Sequence, residues 1–420
     1  MNYEELLEFS VELAVRLQKC GAETYRVEET ITRLLEAYGI EADASVIPNS
    51  ITVGFRGPDG VNHNKIRRIK DCENVLDGVE KYSSLCRRLC SERPDMDRAW
   101  QMLEETTRSV KRYGTAMFYV ACITVSAAFA VFFKGTLLDA FCSAVCGLAT
   151  GLCMKFMSNF HANQFFKTVV GGFVIGFVSH AFAHVGLCDN PDASSIGAIM
   201  LLVPGFLFTN SLRDIIYGDT MSGVNRLVQV LIIAVALVVG VGAAVNFTSH
   251  IWGAVPGSAS LVEHSLVVQC IAAMLGTLGF GMLFDIHGNG MLLCLLGAAM
   301  SWLVYCGVVF LGATGAAAFF FAAAACSLYA EVLARVRKYP AISYLYASLV
   351  PLIPGAGIYY AVSYLTNNEA EAFLSKGMET AAAAGSMAVG VLLVSTAFRM
   401  WGVYKKKKME SRKLSCSREK

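Results

Sequence analysis

The sequence predicts an α-helical polytopic membrane protein. About ten transmembrane helices, arranged as an inverted repeat of five plus five, are expected behind a small α+β cytoplasmic domain. Three observations predict this fold. The chain of 420 residues is 55% hydrophobic and only 16% charged, which favours a large apolar region. Its charges are concentrated at the two ends. Two Pro-Gly pairs, Pro204-Gly205 and Pro354-Gly355, lie in long apolar stretches.

The distribution of charge defines the expected domains. The first 113 residues carry 17 Lys/Arg and 20 Asp/Glu, whereas the next 291 carry only 10 and 11. No secretory signal peptide is expected, because the N-terminal region is charged and lacks an apolar core segment. Lys405–Lys408 in the basic tail is expected to contact anionic lipid. The predicted regions are a soluble domain at 1–113, five-helix membrane repeats at 114–250 and 251–404, and a cytoplasmic tail at 405–420.

Ten apolar segments are long enough to span a bilayer, which requires about 20 mainly apolar residues. An odd number of spans per half inverts the second half relative to the first, so that the two Pro-Gly helices run in opposite directions. The segments are 115–133, 137–157, 165–187, 194–212, 225–245, 261–282, 289–311, 314–334, 341–365 and 380–401.

Positive residues predict that both termini are cytoplasmic, in a multi-pass protein of the cytoplasmic (inner) membrane. With this orientation the inside loops hold most of the Lys and Arg residues, and the outside loops hold only Lys134 and Lys376. Cys188 and a cysteine introduced at Ala254 are then expected to be reachable from outside, and the tail beyond Lys408 only from inside. The inside residues are Lys155, Lys167, Arg213, Arg226, Arg335, Arg337 and Lys338.

Each Pro-Gly pair predicts a helix that breaks and restarts inside the membrane. Proline removes a backbone donor and clashes with the preceding turn, and the freed backbone groups require a partner in hydrocarbon. Broken helices therefore surround binding sites in many transporters, and a restarting helix suits a carboxylate. Simple kinks are the alternative. The expected substrate-binding residues are Pro204, Gly205, Thr209, Asn210, Pro354, Gly355, Tyr359 and Tyr360.

Charged and titratable residues in or near the spans are candidates for a gate or for proton coupling, because charges in a membrane are costly. Ion pairs after the first break predict a gate, with a solvated loop as the alternative. For the other carboxylates, helix capping or snorkelling is the alternative, and for the histidine it is simple hydrogen bonding. The candidates are Asp139, His180, Arg213, Asp214, Asp219 and Glu331.

The soluble domain is expected to contain four helices, near 6–17, 27–38, 75–89 and 103–110, and a strand at Ile51, Val53 and Phe55. Its densest polar segment is either a helix start or a binding patch, and it shows no nucleophile–base–orienter set. We expect charge-neutral changes at Glu23 and Arg26 to impair folding or regulation more than selectivity. The segment contains Gly21, Glu23, Thr24, Arg26 and Glu28.

Three motifs together resemble the threonine/serine exporter family in its single-chain form, over roughly residues 5–400. The first is the family's G-A-x-T-x-R-x-E pattern, present here from Gly21 to Glu28. The second runs from Pro204 to Arg226 and the third from Glu331 to Gly355. The matching residues of the second and third motifs are Pro204, Gly205, Asn210, Arg213, Asp214, Gly218, Asp219, Ser222, Gly223, Arg226, Glu331, Ala334, Arg335, Pro340, Ala341, Pro354 and Gly355.

This resemblance implies a secondary transporter that exports threonine and serine, with proton antiport. Related two-subunit forms are associated with dicarboxylate export, which is one alternative. A membrane-tethered enzyme or sensor acting through residues 1–113 is another. The chain has no GxxxxGK[ST] phosphate loop and no CxxC pair, so neither ATP-driven transport nor a zinc site is expected. We expect no cofactor, no metal and no nucleic acid; the expected partners are a small-molecule substrate and the lipid bilayer.

Overall fold

The structure is a computed structural model that describes residues 2–58, 60–70, 72–253, 261–337, 339–366 and 369–418. Its N-terminal part is a small α+β domain, which confirms the prediction. The elements are α1 (Tyr3–Lys19), α2 (Thr24–Ala37), β1 (Ala42–Ile47), β2 (Ser50–Arg56), β3 (Asn62–Arg68), α3 (Leu76–Glu92) and α4 (Met96–Ser109).

The domain folds because each of its helices has an apolar face. Asn2 caps α1 by accepting hydrogen bonds from the first-turn amides of Glu4 and Glu5. Phe9 in α1 and Leu34 in α2 are fully buried in the common core. The four helices therefore agree with the apolar spacing of the sequence.

The sheet is antiparallel in the order β1-β2-β3, with β2 in the centre. Ile51, Val53 and Phe55 of β2 are buried, as their alternation predicts. The two outer strands were not predicted. In β3, Lys65 pairs with Val53 across the ladder, yet the segment is mostly polar and exposed. An edge strand with little apolar alternation gives almost no sequence signal.

The described residues after the soluble domain are mainly helical. Among the described residues, eight helices are long and apolar enough to cross a membrane. They are α5 (Thr115–Phe132), α6 (Leu137–Asn159), α7 (Gln164–His184), α10 (Thr220–Trp252), α11 (Leu266–Leu283), α12 (Asn289–Phe310), α13 (Gly315–Arg337) and α16 (Ala370–Arg418).

Each Pro-Gly pair lies between two short helices. Helices α8 (Pro191–Ile199) and α9 (Gly205–Tyr217) flank the first pair. Helix α14 (Ala341–Leu349), with a 3-10 turn at Val350–Leu352, precedes the second pair, and α15 (Gly355–Thr366) follows it with a bend of 48°. The expected helix breaks are therefore present at both positions.

The number of spans differs from the predicted ten. Length and composition support eight spans in the described parts of the chain, or nine if the bent segment at α14 and α15 counts as one. The segment of α8 and α9 accounts for the remaining difference, because both helices are short and carry Asp192, Arg213 and Asp214.

The two breaks lie side by side because the two halves of the membrane region interlock. Helix α9 packs on α10 and also on α16 of the second half, while α15 packs on α16 and on α10 of the first half. A Cβ atom on Gly205 would overlap the Ile353 side chain, and one on Gly355 would lie 2.9 Å from the sulfur of Met200. The glycines thus permit this close approach.

The soluble domain is docked on one end of the membrane helices. The Leu76 amide donates to the Phe284 carbonyl (2.9 Å), and the Tyr113 amide donates to the Asp285 carboxylate (2.7 Å). At the start of α2, Thr24 Oγ1 lies 2.9 Å from Asp219 Oδ2, beyond the end of α9. We call this end of the membrane region the near side and the opposite end the far side.

Candidate functional site

The first break exposes the start of α9 inside the membrane region. Pro204 is the residue before α9, and its carbonyl accepts the Phe208 amide at 2.9 Å. The amides of the first helical turn precede this bond and have no intrahelical acceptor. They are the backbone donors that a substrate carboxylate would require.

The second break is similar, except that its first amide is already bonded: the Gly355 amide donates to the Ile353 carbonyl at 2.7 Å. The Pro354 carbonyl accepts the Ile358 amide at 3.3 Å, and α15 begins at Gly355. Since Ile353 lies against Gly205, the starts of α9 and α15 border the same region. In this conformation the Ile353 side chain fills the space at Gly205, so the breaks are in contact rather than separated by a cavity.

Polar side chains adjoin the breaks on their near side. Asn210 Nδ2 donates to the hydroxyl of Tyr346 at 2.7 Å, and both residues are buried. Thr209 is also buried, and its hydroxyl has no hydrogen-bond partner among the described residues. These three residues line or adjoin a cavity of about 10 Å³, which we call the middle cavity. It has room for roughly one water molecule.

The structure separates the other two predicted binding residues from this group. Tyr359 and Tyr360 follow the second break, and their ring centroids are 5.7 Å apart. Tyr359 packs against an apolar cluster of the first half that includes Leu202 and Ile199. Neither tyrosine lines the middle cavity. Thr209 and Asn210 are therefore brought together, and the two tyrosines lie elsewhere.

Two of the gate candidates and two residues of the soluble-domain motif meet, together with Arg226, in one largely buried group. We call it the charged cluster: Glu23, Arg26, Arg213, Asp214 and Arg226. Glu23 and Arg213 are 5% and 8% exposed, and their Oε1 and Nη1 atoms are 2.5 Å apart. Asp214 lies 3.5 Å from Arg213 and 3.3 Å from Arg226. The cluster thus links the start of α2 to α9 and α10 of the membrane region.

Electrostatics keeps Glu23 charged. Burial disfavours its carboxylate, but the nearby Arg213 and Arg26 outweigh burial and hold the pKa of Glu23 below its ordinary value of 4.5. The ion pair between Glu23 and Arg213 therefore stabilises the docked domain at pH values above the ordinary pKa of a glutamate. This stabilisation is lost only as the pH falls through the lowered pKa of Glu23. Near neutral pH, Glu23 is a fixed charge rather than a proton carrier in this conformation.

The remaining residues of the soluble-domain motif have local roles. The Glu28 carboxylate accepts the Val46 amide at 2.8 Å and fastens β1 to α2. Gly21 has a φ of 86°, and a Cβ there would lie 2.7 Å from the Glu73 carbonyl oxygen, so this turn requires glycine. These contacts position Glu23 and Thr24 at the membrane region.

A cavity of about 60 Å³, the near cavity, lies beside the charged cluster. It is enclosed by the start of α2 and by α9, α13, α14 and α16, and Glu331, Ser395 and Arg399 also line it. Glu331 Oε2 is 2.5 Å from Arg335 Nη1. The cavity has room for about four to six water molecules, which are suitable partners for buried polar atoms such as Asp214 Oδ2.

Asp139 and His180 lie outside these groups. Asp139 is fully buried at the start of α6, where it forms a capping box with Thr136 and accepts the amides of Asp189 and Asn190. His180 Nδ1 lies 3.0 Å from the Gly176 carbonyl of its own helix. Cys188, expected to be accessible, is buried, and its thiol donates to Asp139. Ala254 lies outside the described residues.

Sequence reasoning missed two residues of the site. Tyr346 lies in an apolar segment without any neighbouring charge, so no pattern marks it. Arg399 resembles an ordinary cation at the end of the last span, yet it lines the near cavity, and its guanidinium lies 5.3 Å from the ring centroid of Tyr25. Only the packing of α16 against the soluble domain shows its location.

Two facing helix breaks among the eight or nine apolar helices of the described residues are typical of membrane transporters, and the family matches that follow point to a transporter rather than an enzyme. The chain belongs to the threonine/serine exporter family. Residues 8–248 match the family described as "Putative threonine/serine exporter", and residues 269–397 match the family described as "Threonine/Serine exporter, ThrE".

Individual relatives agree with this assignment. The chain is similar to a threonine/serine exporter of Corynebacterium glutamicum, with 26% identity over 70% of this chain and 62% of that protein. It is also similar to a probable threonine/serine exporter of Mycobacterium tuberculosis, with 21% identity over 94% of this chain and 76% of the relative. A probable succinate transporter subunit, YjjP of Klebsiella aerogenes, is 23% identical over 58% of this chain and 92% of its own length. No solved structure is significantly similar to the chain.

Proposed function

We propose that this protein is a secondary transporter that exports threonine and serine across the cytoplasmic membrane, with both termini in the cytoplasm. Family membership supports the substrate class, and the excess of Lys and Arg on the near side supports the orientation. Proton antiport is part of the proposal. Of the candidate titratable groups, Asp214, Asp219 and Glu331 line the near cavity, whereas Asp139 and His180 lie away from it.

The observation that carries the proposal is the contact between the two helix breaks. Two restarting helices direct first-turn amides and positive dipole ends toward one region, which suits the carboxylate of an amino acid. Thr209 and Asn210 lie one turn beyond Gly205 and are placed to bind a substrate hydroxyl. Because Ile353 lies against Gly205, binding requires that this contact opens. The structure then corresponds to a closed state of the transport site.

We propose further that the membrane region is an inverted repeat of five plus five spans. The order of elements supports this, because each half has three long helices, one broken segment and one long helix. Helix α9 of the first half packs on α16 of the second half, and α15 of the second half packs on α10 of the first. Two equivalent halves would pack in this way. In this arrangement α8 with α9 forms one span, which gives ten.

The charged cluster serves as the near-side gate in this proposal. It holds the soluble domain against α9, one helical turn after the polar residues that adjoin the break. A solute from the cytoplasm would pass the near cavity before reaching the breaks, so the ion pairs must separate during the transport cycle. The soluble domain thereby controls access to the site.

Transport by purified protein in vesicles tests the function, and Asn210 tests the site. We expect efflux of serine and threonine but little efflux of succinate. Asn210→Ala should reduce the preference for serine over alanine by about two- to tenfold, because one hydrogen bond to the substrate hydroxyl is lost. Tyr360→Phe is the control, since this hydroxyl does not line the middle cavity. Efflux of succinate alone would overturn the proposed substrate.

Cysteine labelling tests the topology. In a background without native cysteines, Leu187→Cys should react with an impermeant maleimide on intact cells, because Leu187 is 46% exposed on the far side. Lys70→Cys in the soluble domain should react only when vesicles are inverted. Labelling of Lys70→Cys on intact cells would reject the cytoplasmic location of this domain.

A further inference from the structure

A cavity of about 210 Å³ lies on the far side of the second break; we call it the far cavity. Its floor is formed by Pro354 and by Ala356 and Gly357 in the first turn of α15. Part of α16 forms one wall, with Lys376, Glu379 and Thr380, and aromatic side chains form the opposite wall. The aromatic residues are Phe132, Phe133, Trp302, Tyr305 and Phe319.

The far cavity is large enough for an amino acid, and the near and middle cavities are not. At roughly 10–15 Å³ for each water-sized group, it has room for about 14 to 21 such groups. Threonine has eight non-hydrogen atoms. The near cavity, at about 60 Å³, is too small for threonine in this conformation. Among the near, middle and far cavities, size therefore favours the far cavity as the place where a whole substrate fits.

The charges at this cavity match a zwitterion. Lys376 Nζ and Glu379 Oε2 are 2.8 Å apart, and they are the two charged residues among its described lining residues. Their side chains are 32% and 69% exposed. An exposed pair of this kind contributes little stability, so the two charges are readily exchanged for those of a ligand. Lys376 suits the carboxylate of an amino acid, and Glu379 suits its ammonium group.

The other lining groups complete the match. Trp302 stacks on Tyr305 with ring centroids 5.0 Å apart and contacts Phe132 at 4.5 Å, and such aromatic faces attract an ammonium group. Thr380 is 6% exposed, and its hydroxyl donates to the Lys376 carbonyl at 2.7 Å. Its oxygen remains able to accept a hydrogen bond from a serine or threonine hydroxyl.

We propose that the far cavity is a binding site for the zwitterion of a small hydroxy amino acid, with Lys376, Glu379 and Thr380 as its specificity-determining residues. The proposal rests on the proposed transport function and assigns the site from which the substrate is released. It also explains selectivity. The second carboxylate of a dicarboxylate would face Glu379 and the aromatic wall, and both disfavour an anion.

Exchange of labelled serine across vesicles of known orientation tests the site. Lys376→Gln and Glu379→Gln should each raise the far-side half-saturation concentration by about tenfold, because each removes one charge-assisted contact. Near-side half-saturation should change much less. Glu379→Gln should also make external succinate a better competitor. Lys134→Gln is the matched control, since Lys134 forms an exposed pair with Glu263 on the same side but does not line the cavity.

Two results separate this inference from the transport function. If neither Lys376→Gln nor Glu379→Gln altered serine exchange in normally expressed protein, the far-cavity site would be rejected. The proposed transport function would stand. Equilibrium binding of labelled serine to the full-length detergent-purified protein gives the second measurement. Serine binding that Lys376→Gln removes, in a protein without exchange activity, would support the site and overturn the transport function.

Discussion

Replacing either helix-breaking proline by alanine is expected to raise the half-saturation concentration for serine efflux by about tenfold or more. Pro204→Ala restores a backbone donor and relieves the clash with the preceding turn, so that α8 continues into α9. The first amides of α9 would then bond to carbonyl groups four residues earlier. The substrate carboxylate would lose charge-assisted hydrogen bonds worth about 1.5–3 kcal/mol each. Pro354→Ala should act in the same way at α15.

Pro191→Ala is the matched control for these variants. Pro191 occupies the first turn of α8, where the missing amide hydrogen is not needed, so its replacement should change neither half-saturation nor expression. Efflux is measured against substrate concentration in vesicles that contain equal amounts of each protein. Unchanged half-saturation in both break variants would show that the Pro-Gly pairs only bend the helices.

Neutralising Glu23 is expected to open the near side. Glu23→Gln leaves the buried Arg213 with only its longer contact to Asp214, at 3.5 Å. Removing one partner of a buried pair costs about 3–5 kcal/mol. The closed state should lose population about a hundredfold or more relative to an open state. A cysteine introduced at Ser395, which lines the near cavity, should then react much faster with a small permeant maleimide. The control of access from the cytoplasm, rather than the selectivity for the substrate, should be impaired.

Glu29→Gln on the same helix is the control. Glu29 pairs with Arg33 at 2.7 Å, but both side chains are largely exposed, so the pair contributes at most about 1 kcal/mol. Thr24→Val, which removes the bond to Asp219, should accelerate labelling in the same direction by a smaller factor. Equal labelling rates in Glu23→Gln and Glu29→Gln, with both proteins stably folded, would reject the charged cluster as a gate.

The sequence was sufficient for elements that have a strong local signal. Apolar spans, the two breaks and the four helices of the soluble domain follow from hydropathy, from proline chemistry and from helical spacing. The polar edge strand β3 and the short helices α8 and α9 do not, because each depends on neighbours that are distant in the chain. The predicted count of ten spans was not confirmed by helix length, because α8 and α9 are each too short to cross a membrane alone.

The residues of the candidate site were likewise only partly predictable from the sequence. Arg213 and Glu23 were each recognisable as charges in an unusual place, but they are 190 positions apart and no local pattern joins them. Asp139 has the same composition signal as a coupling carboxylate, yet its oxygens cap α6 and the loop before α8. Lys376 was recognisable only as an outside cation, because the cavity beside it is created by packing.

Helix α16 has a mechanical consequence for the protein. It is continuous from Lys376 and Glu379 at one end of the membrane region to Ser395 and Arg399 at the other, a distance of about 35 Å. The fully buried Met387 lies between these ends, beside the middle cavity. If α16 tilts as a rigid body about Met387, a tilt that widens the near cavity narrows the far cavity, and the reverse tilt does the opposite. We therefore expect the same helix to prevent the near and far cavities from opening together, which would exclude a continuous channel.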